Sequence, residues 1–123
     1  MKEEDKDLLL KDLCVRLPYR VIVELDENFG YNKGTRYLVK ELLDIYCVES
    51  IKPYLRPMSS MTRKEYSILN DLTNYVFESS YDLIHYNIDE LNDWLNANHF
   101  DYRGLIKKGL ALEALEGMYN KIK

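Results

Sequence analysis

Residues Ile51–Thr62 read IKPYLRPMSSMT, and two prolines divide this segment into an extended first half and a second half that leads into a helix. Pro53 and Pro57 each lack a backbone N–H, fix their own φ and push the preceding residue toward extended backbone. We therefore predict that neither a helix nor a central strand runs through the segment. Tyr54 and Leu55 lie between the prolines and are apolar, so we expect them to hold the segment against a core.

The chain after this segment begins with a helix-capping signal. Thr62 is followed three residues later by Glu65, a capping box in which each side chain serves a free N–H of the first turn. The helix should begin at Arg63, continue to about Val76 and break at residues 79–80. The side chains expected on its buried face are Tyr66, Leu69, Leu72, Thr73 and Val76.

A second capping signal, Asn87 with Glu90, predicts the start of another helix. The apolar stripe of that helix consists of Ile88, Leu91, Trp94 and Leu95. Trp94 is the single tryptophan of the chain, and we expect it to anchor this helix to the rest of the fold.

The closing part of the chain also has helical signals. Asp101 is placed to cap a short helix over residues 102–108, and Gly109 should end that helix in the left-handed conformation. The tail from Leu110 onward again has helical spacing.

The chain before the proline segment mixes a helix with strands. Residues 4–17 place apolar side chains at helical spacing, and Pro18 should end that helix by moving Leu17 out of the helical region. Residues 19–25 alternate apolar and polar side chains, which is typical of a strand with one buried face. Residues 26–34 are rich in glycine, asparagine and aspartate, so a turn and an antiparallel return are expected.

Residues 35–49 fit either a hairpin or a helix. Leu38, Leu42 and Ile45 have helical spacing, whereas Tyr37, Val39 and Leu43 fit one face of a strand. The β-forming run at residues 45–48 favours strands for both parts of this region.

These elements predict one α+β domain over residues 1–123. Residues 1–58 should form a helix and a small, strongly bent antiparallel sheet or partly open barrel, similar in outline to a Src-homology-type barrel. Residues 59–123 should be helical. Such an outline suggests a fold and carries no function by itself.

Composition and charge restrict the class of protein. The net charge is −4, and residues 65–102 contain no lysine or arginine but eight acidic residues, which is unfavourable for nucleic-acid binding. The N-terminal MKEEDKDLLL lacks the features of a secretory signal, and no apolar run is long enough for a membrane helix. We expect a cytoplasmic protein in which Cys14 and Cys47 are reduced and buried.

No established enzyme motif is present. The sequence has no phosphate-binding GxxxxGK[ST] loop, GxGxxG turn, GxSxG elbow or HExxH helix. His85 and His99 are the two histidines, and no cysteines or acids accompany them at zinc-ligand spacing. We therefore expect a protein that is not an enzyme, with no catalytic residues, metal site or cofactor.

Lys52, Tyr54 and Arg56 alternate with Pro53 and two other apolar residues, so one side of the segment could present two bases and an aromatic ring. Such a surface suits an acidic partner or a phosphate. The simpler interpretation is that the long basic side chains cover a seam between the sheet and the next helix.

The second candidate site is a corner between two predicted helices, formed by His99, Asp101, Tyr102 and Arg103. One interpretation is a small site in which Asp101 orients His99 while Arg103 binds an anion. The alternative is a capped turn that carries a surface ion pair.

Two runs, IKPYLRPMSSMT and WLNANHFDYRGLIKKGLALEA, resemble a family of small uncharacterised proteins encoded by gut anaerobic bacteria, often beside prophage or other mobile-element genes. The opening LLLKDLCVRLPY is similar to the same family, so the resemblance covers most of the chain outside residues 26–44 and 66–87. One departure is Leu115, where that family more usually has proline. The resemblance implies no known activity and no catalytic residues.

The leading hypothesis is a small non-enzymatic interaction protein, accessory to a mobile element or its host, with a protein partner such as a second copy of itself. An alternative is nucleic-acid handling by the sheet half. Its candidate bases are Arg16, Arg20, Arg36, Lys40, Lys52 and Arg56. A further alternative is that the acidic residues 65–101, among them Asp89 and Asp93, imitate a phosphate backbone and occupy a DNA-binding protein.

Overall fold

Four helices and four strands are present in the computed structural model, which describes residues 1–26, 34–45, 47–78 and 84–119. In chain order they are α1 (Glu3–Arg16), β1 (Ile22–Leu25), β2 (Gly34–Tyr37), α2 (Lys40–Ile45), β3 (Ile51–Leu55), α3 (Arg63–Glu78), α4 (Ile84–Ala97) and β4 (Leu112–Glu113). Short 3₁₀ turns lie at Leu17–Tyr19, Val48–Ser50 and Met58–Ser60.

The strands form one open sheet in the order β2-β1-β3-β4. β1 is antiparallel to both neighbours, with Val23 opposite Arg36 on one side and Pro53 on the other. β4 is parallel to β3, with Tyr54 opposite Leu112. The α+β class, the N-terminal helix and the antiparallel return after β1 are confirmed. The open sheet agrees with the predicted small open sheet and argues against a closed barrel. The parallel β4 comes from a tail that was wrongly predicted to be helical.

Pro53 lies in a central strand, and the prediction that no central strand runs through this segment is wrong. The reason is register. The Leu38 N–H donates to the Val21 carbonyl at 2.8 Å, so Val21 and, by alternation, Val23 direct their backbone groups toward β2. The Val23–Pro53 pair is therefore a non-hydrogen-bonded pair that needs no N–H from proline. On the other side, pairing with β4 begins only at Tyr54.

The core lies between α1, the sheet and the turns that follow α4. Its members are Leu9, Leu13, Val21, Val23, Leu25, Leu38, Leu42, Ile51, Leu55, Leu105, Leu110 and Ala111. The alternation of the first strand is thus confirmed. The apolar stripe of the first helix is confirmed at Leu9 and Leu13 only, because Leu10 and Cys14 are exposed and Asp12 is fully buried. Tyr54 and Leu55 are also buried, as expected of the segment between the prolines.

The region between β2 and β3 is not the predicted hairpin. Strand β2 ends at Tyr37, α2 covers Lys40–Ile45, and a 3₁₀ turn rather than a strand follows at Val48–Ser50. Leu38 precedes α2 and extends the pairing of β2, because its N–H donates to the Val21 carbonyl, and Leu42 is the α2 side chain that enters the core. Leu17 keeps helical φ and ψ, contrary to the effect expected of Pro18, and continues α1 into a 3₁₀ turn.

Helix α3 begins at Arg63 as predicted. The Thr62 N–H donates to Glu65 Oε1 at 3.0 Å, and the Glu65 N–H donates to Thr62 Oγ1 at 3.2 Å, which confirms the capping box. The predicted burial of Tyr66 is wrong, because its side chain is 58% exposed. The predicted break at residues 79–80 lies outside the described residues.

Helix α4 begins at Ile84, so Asn87 is inside the helix and is not its cap. The helix packs on α3 and contacts α1. Trp94 is half-buried, and its ring lies 5.7 Å from the ring of Phe100, which gives the predicted anchor a specific partner.

Residues 102–108 form turns in place of the predicted short helix. The Asp101 carboxylate still acts as a cap, because it accepts the N–H groups of Leu105 at 2.8 Å and Ile106 at 3.0 Å. Gly109 has a φ of 76°, as predicted for a left-handed stop. Both cysteines, Cys14 and Cys47, are exposed, so the expected burial of the thiols is wrong.

Candidate functional site

The two sequence segments with candidate site residues meet at the end of β3. Arg56 forms an isolated parallel bridge with Phe100, in which the Arg56 N–H donates to the His99 carbonyl at 2.7 Å. The Asp101 N–H donates to the Arg56 carbonyl at 2.9 Å. The corner at residues 99–101 thus continues the sheet beside β3 at the point where β1 has turned away.

A tyrosine hydroxyl occupies the gap between β1 and this corner. Continuing the β1–β3 register would pair Ile22 with Tyr54, but the hydroxyl of Tyr119 lies between their backbones. It accepts the Ile22 N–H at 2.8 Å and donates to the Tyr54 carbonyl at 2.7 Å. Burial raises the pKa of Tyr119 to about 12, so the hydroxyl keeps its proton and remains a donor at neutral pH.

His99 packs against this tyrosine. The two rings are stacked with their centroids 3.7 Å apart, and the His99 side chain is only 7% exposed. Its Nδ1 atom is buried and has no hydrogen-bond partner. Burial, followed by the positive charges of Arg16 and Arg56, lowers the pKa of His99 to about 4. The imidazole is therefore neutral at pH 7.

Arg56 is held by Glu65 from the first turn of α3. Nη1 and Nη2 of Arg56 donate to the two carboxylate oxygens of Glu65, each at 2.7 Å, and the guanidinium lies 4.2 Å from the centre of the Phe100 ring. This bidentate pair lowers the pKa of Glu65 to about 2. Arg56 is thus engaged within the protein, as the seam interpretation of this residue supposed.

These residues surround a cavity of about 350 Å³. Its lining includes Tyr19 and Arg20 from the turn before β1 together with Arg56, His99 and Tyr119. The guanidinium of Arg20 lies 4.5 Å from the centre of the Tyr37 ring. The cavity is lined by aromatic rings and by guanidinium groups, an arrangement that can hold a planar or negatively charged molecule.

A buried charge cluster lies between α1 and the corner at residues 99–103. Asp12 accepts hydrogen bonds from Arg16 Nε and from Arg103 Nη1, both at 2.8 Å, and neither Asp12 nor Arg16 is exposed to solvent. Arg16 Nη2 also donates to the Phe100 carbonyl at 2.7 Å. The cluster ties α1 to the corner at residues 99–103, and it removes Arg16 and Arg103 from the set of arginines free to bind an anion.

The remaining predicted site residues have separate roles. Asp101 caps a turn and does not orient His99. The hydroxyl of Tyr102 donates to Asn96 Oδ1 at 2.9 Å, and the hydroxyl of Tyr54 donates to Glu24. Lys52 is exposed. Of the seven predicted positions, the structure brings Arg56 and His99 together at the cavity.

Sequence reasoning missed Tyr119 and the Asp12–Arg16 ion pair, and it named Arg20 only as a base for nucleic-acid contacts. Tyr119 bonds to residues 97 and 65 positions away, and no local pattern encodes such a contact. Arg16 had a usable signal: Asp12 and Arg16 are spaced with Leu9 and Leu13 on one face of α1, so a charged pair was predictable on the buried stripe.

The described residues contain no group of three or more histidine, cysteine, aspartate or glutamate side chains that could hold a metal ion. Among the helices described, none has the length and apolar character needed to cross a membrane. Comparison of the chain with protein-family models, curated proteins and solved structures found no match.

Proposed function

We propose that the protein is a small non-catalytic interaction protein, and that the helical pair α3 and α4 is its contact surface for another protein. The observation that carries this proposal is the incomplete burial of α3. Among its described side chains, residues 63–74, none is fully buried, and Leu69 and Leu72 are only half-buried. A short helix is usually stabilised by packing one apolar face, so a face left this open is suited to a partner.

The apolar face of α3 is wider than the part that is half-buried. Because successive residues of a helix are about 100° apart, Tyr66 and Ile68 lie on opposite flanks of the stripe that contains Leu69 and Leu72. Tyr66 is 58% exposed and Ile68 is 36% exposed. Ile88 on α4 is also 36% exposed. A partner that covers both flanks would complete the burial of the pair.

Charge indicates the chemistry of that partner. Among the described side chains of the helical pair, the exposed acids are Asp71, Asp89, Glu90 and Asp93. The sequence has no lysine or arginine from residue 65 to residue 102 to balance them. Two copies that meet through this surface would bring acids together, whereas a protein with lysines and arginines beside an apolar patch is complementary. The partner is therefore a different protein with a basic surface.

The other hypotheses have less support. Of the bases named for nucleic-acid binding, Arg16 is fully buried and Arg56 is paired with Glu65, so phosphate contacts would depend on the exposed Arg20, Arg36, Lys40 and Lys52. The acidic surface does favour one narrower case of the proposal, in which the partner is a DNA-binding protein. The resemblance to proteins from prophage neighbourhoods supports a role accessory to a mobile element or its host.

The proposal is tested by capture from native host lysate, with and without nuclease. Three baits are compared: wild type, the double variant Tyr66→Ser/Ile68→Ser, and Leu115→Ser. Leu115 is 63% exposed and lies outside the helical pair, so its variant is the matched control. We expect one partner with a basic surface to be retained by wild type and by Leu115→Ser and lost by the double variant. Circular dichroism would check that all three baits are folded.

Purified partner would then be titrated against Asp89→Lys/Asp93→Lys, which should weaken binding by at least about tenfold if charge complementarity holds. Equal retention of the same partner by the double variant would overturn the assignment of the surface. Loss of all bound material on nuclease treatment would favour nucleic-acid binding. A dimer of wild type in light scattering that the double variant abolishes would make the partner a second copy.

A further inference from the structure

The cavity beside His99 is large enough for a small molecule and is not used by the proposed protein-binding surface. Its volume is about 350 Å³, and the exposed residues Tyr66 and Ile68 of α3 do not line it. Binding cavities for small ligands start at roughly 300 Å³, so this cavity suits a compact ligand.

Two residues that line this cavity have a sparsely populated backbone conformation. Arg20 has a φ of 57° and His99 has a φ of 62°, and within the described ranges they are the non-glycine residues with positive φ. A side chain disfavours this conformation, which persists where surrounding contacts enforce it and is concentrated at ligand-binding and catalytic sites. The surrounding contacts therefore hold the backbone of both residues in this conformation beside the cavity.

The imidazole of His99 has an unused hydrogen-bonding group. Its side chain is more than nine-tenths buried, with 7% exposed, and among the described atoms Nδ1 has no hydrogen-bond partner. Buried polar atoms are usually paired, because an unpaired one loses its hydration without compensation. The ring is positioned by its stack on Tyr119 and not by a hydrogen bond at Nδ1.

The charges around the cavity favour an anion. Among the described residues Arg20 forms no ion pair, although its guanidinium lies over the Tyr37 ring. Arg56 lines the same cavity, and the low pKa of His99 reflects, after burial, the positive charges of Arg16 and Arg56. Glu65 is the acidic residue on the lining, and Arg56 already neutralises it.

We propose that this cavity binds a small aromatic anion, whose carboxylate or phosphate group accepts hydrogen bonds from the guanidinium of Arg20 and from the imidazole of His99. Tyr19 and the His99–Tyr119 stack supply the aromatic walls against which a planar ring packs. Arg20 supplies the free charge, and the neutral imidazole supplies an N–H donor without an extra charge to be buried.

The binding test is an NMR titration with benzoate and with phenyl phosphate, which share a ring and differ in the anionic group. Three proteins are compared: wild type, Arg20→Gln and Arg36→Gln. Arg36 is exposed on β2 and is not among the residues that line the cavity, so its variant is a control with the same loss of charge. We expect saturable shifts of the amide signals of residues 97–99 in wild type and in Arg36→Gln.

Arg20→Gln should bind at least about tenfold more weakly, because a charge-assisted hydrogen bond is lost. The tighter of the two probes identifies the anionic group as carboxylate or phosphate. Benzyl alcohol is the neutral control and should not produce saturable shifts at the same amides. The proposal is overturned if neither anion saturates these signals, if Arg20→Gln binds as well as wild type, or if benzyl alcohol binds as tightly as the anions.

A second readout follows the His99 imidazole signal during acid titration, with His85→Gln used to assign the two histidines. Bound phenyl phosphate should raise the pKa of His99 above its value of about 4, because a neighbouring negative charge favours the imidazolium form. An unchanged pKa at saturating phenyl phosphate would place the ligand away from His99 and contradict the site. Neither experiment depends on a protein partner of the helical pair.

Discussion

The sheet half, made of α1, α2 and the four strands, differs from the helical pair α3 and α4 in how completely its side chains are buried. In the sheet half, Leu9 and Leu13 of α1 and the inward side chains of β1 and β3 are completely buried. Among the described side chains, the cluster that packs α1 against the sheet contains none from α3 or α4, although Leu95 and Asn96 at the end of α4 are buried. The described side chains of α3 are exposed or half-buried throughout. The sheet half therefore provides most of the stability, whereas the described apolar side chains of α3 remain partly exposed.

The two regions are joined at one short stretch. Arg56 pairs through its backbone with the corner at residues 99–101 and through its side chain with Glu65 of α3. Its guanidinium also lies over the ring of Phe100, and Phe100 contacts Trp94 of α4. The cavity lies beside this junction, so a ligand there would contact elements from both regions.

The largest effect is expected from removal of the buried acid in the sheet half. Asp12→Ala would leave Arg16 buried without its carboxylate, which should lower the free energy of unfolding by about 4 kcal/mol. The control is Asp71→Ala on the exposed face of α3, which should change it by less than about 0.5 kcal/mol. Urea unfolding followed by circular dichroism measures both. If the two variants lost similar amounts of unfolding free energy, the sheet half would not be the more stabilising region.

One substitution placed in each region sharpens the same comparison. Leu13→Ala in α1 should cost about 3 kcal/mol, because it opens a cavity in a fully packed core. Leu69→Ala in α3 removes a half-buried side chain and should cost about 1 kcal/mol. Urea midpoints at constant slope would give the two values. A cost at Leu69 that equals the cost at Leu13 would mean that α3 belongs to the core.

Local patterns predicted the elements whose signals lie within a few residues. The stripe of α1, the alternation of β1 and the capping box before α3 all follow from such spacing. Pro53 was misjudged because the rule against proline in central strands depends on which residue it faces, and that register is set by Val23 on another strand. β4 was missed because two residues form a strand only when β3 supplies the partner.

The candidate site was predicted only in part. Arg56 and His99 were both named, but for different surfaces, and their proximity depends on backbone pairing 43 positions apart. The hydroxyl of Tyr119 enters the site from the end of the chain, in a tail whose spacing suggested a helix. Charge and aromatic content indicate candidate residues, whereas tertiary contacts decide which of them meet.

Acid should weaken the junction in two steps. The pKa of His99 is lowered from 6.5 to about 4, so its contribution is complete above pH 6.5 and is lost as the pH falls toward 4. The pKa of Glu65 is lowered from 4.5 to about 2, so its contribution is present above pH 4.5 and is lost toward pH 2. Each step should reduce the free energy of unfolding by an amount on the order of 2 kcal/mol.

Urea unfolding over this range would separate the two steps. His99→Gln should remove the loss of stability between pH 6.5 and 4. Glu65→Gln should remove the loss between pH 4.5 and 2. Glu90→Gln, on the exposed face of α4, is the control and should leave both in place. An unchanged pH profile in His99→Gln would mean that the imidazole titrates equally in the folded and unfolded protein, contrary to its burial.

The smallest change in unfolding free energy is expected from removing one tyrosine hydroxyl in each region. Tyr119→Phe keeps the ring stacked on His99 but leaves the Ile22 N–H and the Tyr54 carbonyl without their shared partner, which should cost roughly 1.5 kcal/mol. Tyr66→Phe on α3 removes a hydroxyl from an exposed side chain and should be neutral within about 0.5 kcal/mol. Amide hydrogen exchange adds a local test, because protection of the Ile22 N–H should fall in Tyr119→Phe alone. If that protection is unchanged, Ile22 has another acceptor, and the hydroxyl is not what joins β1 and β3 at the cavity.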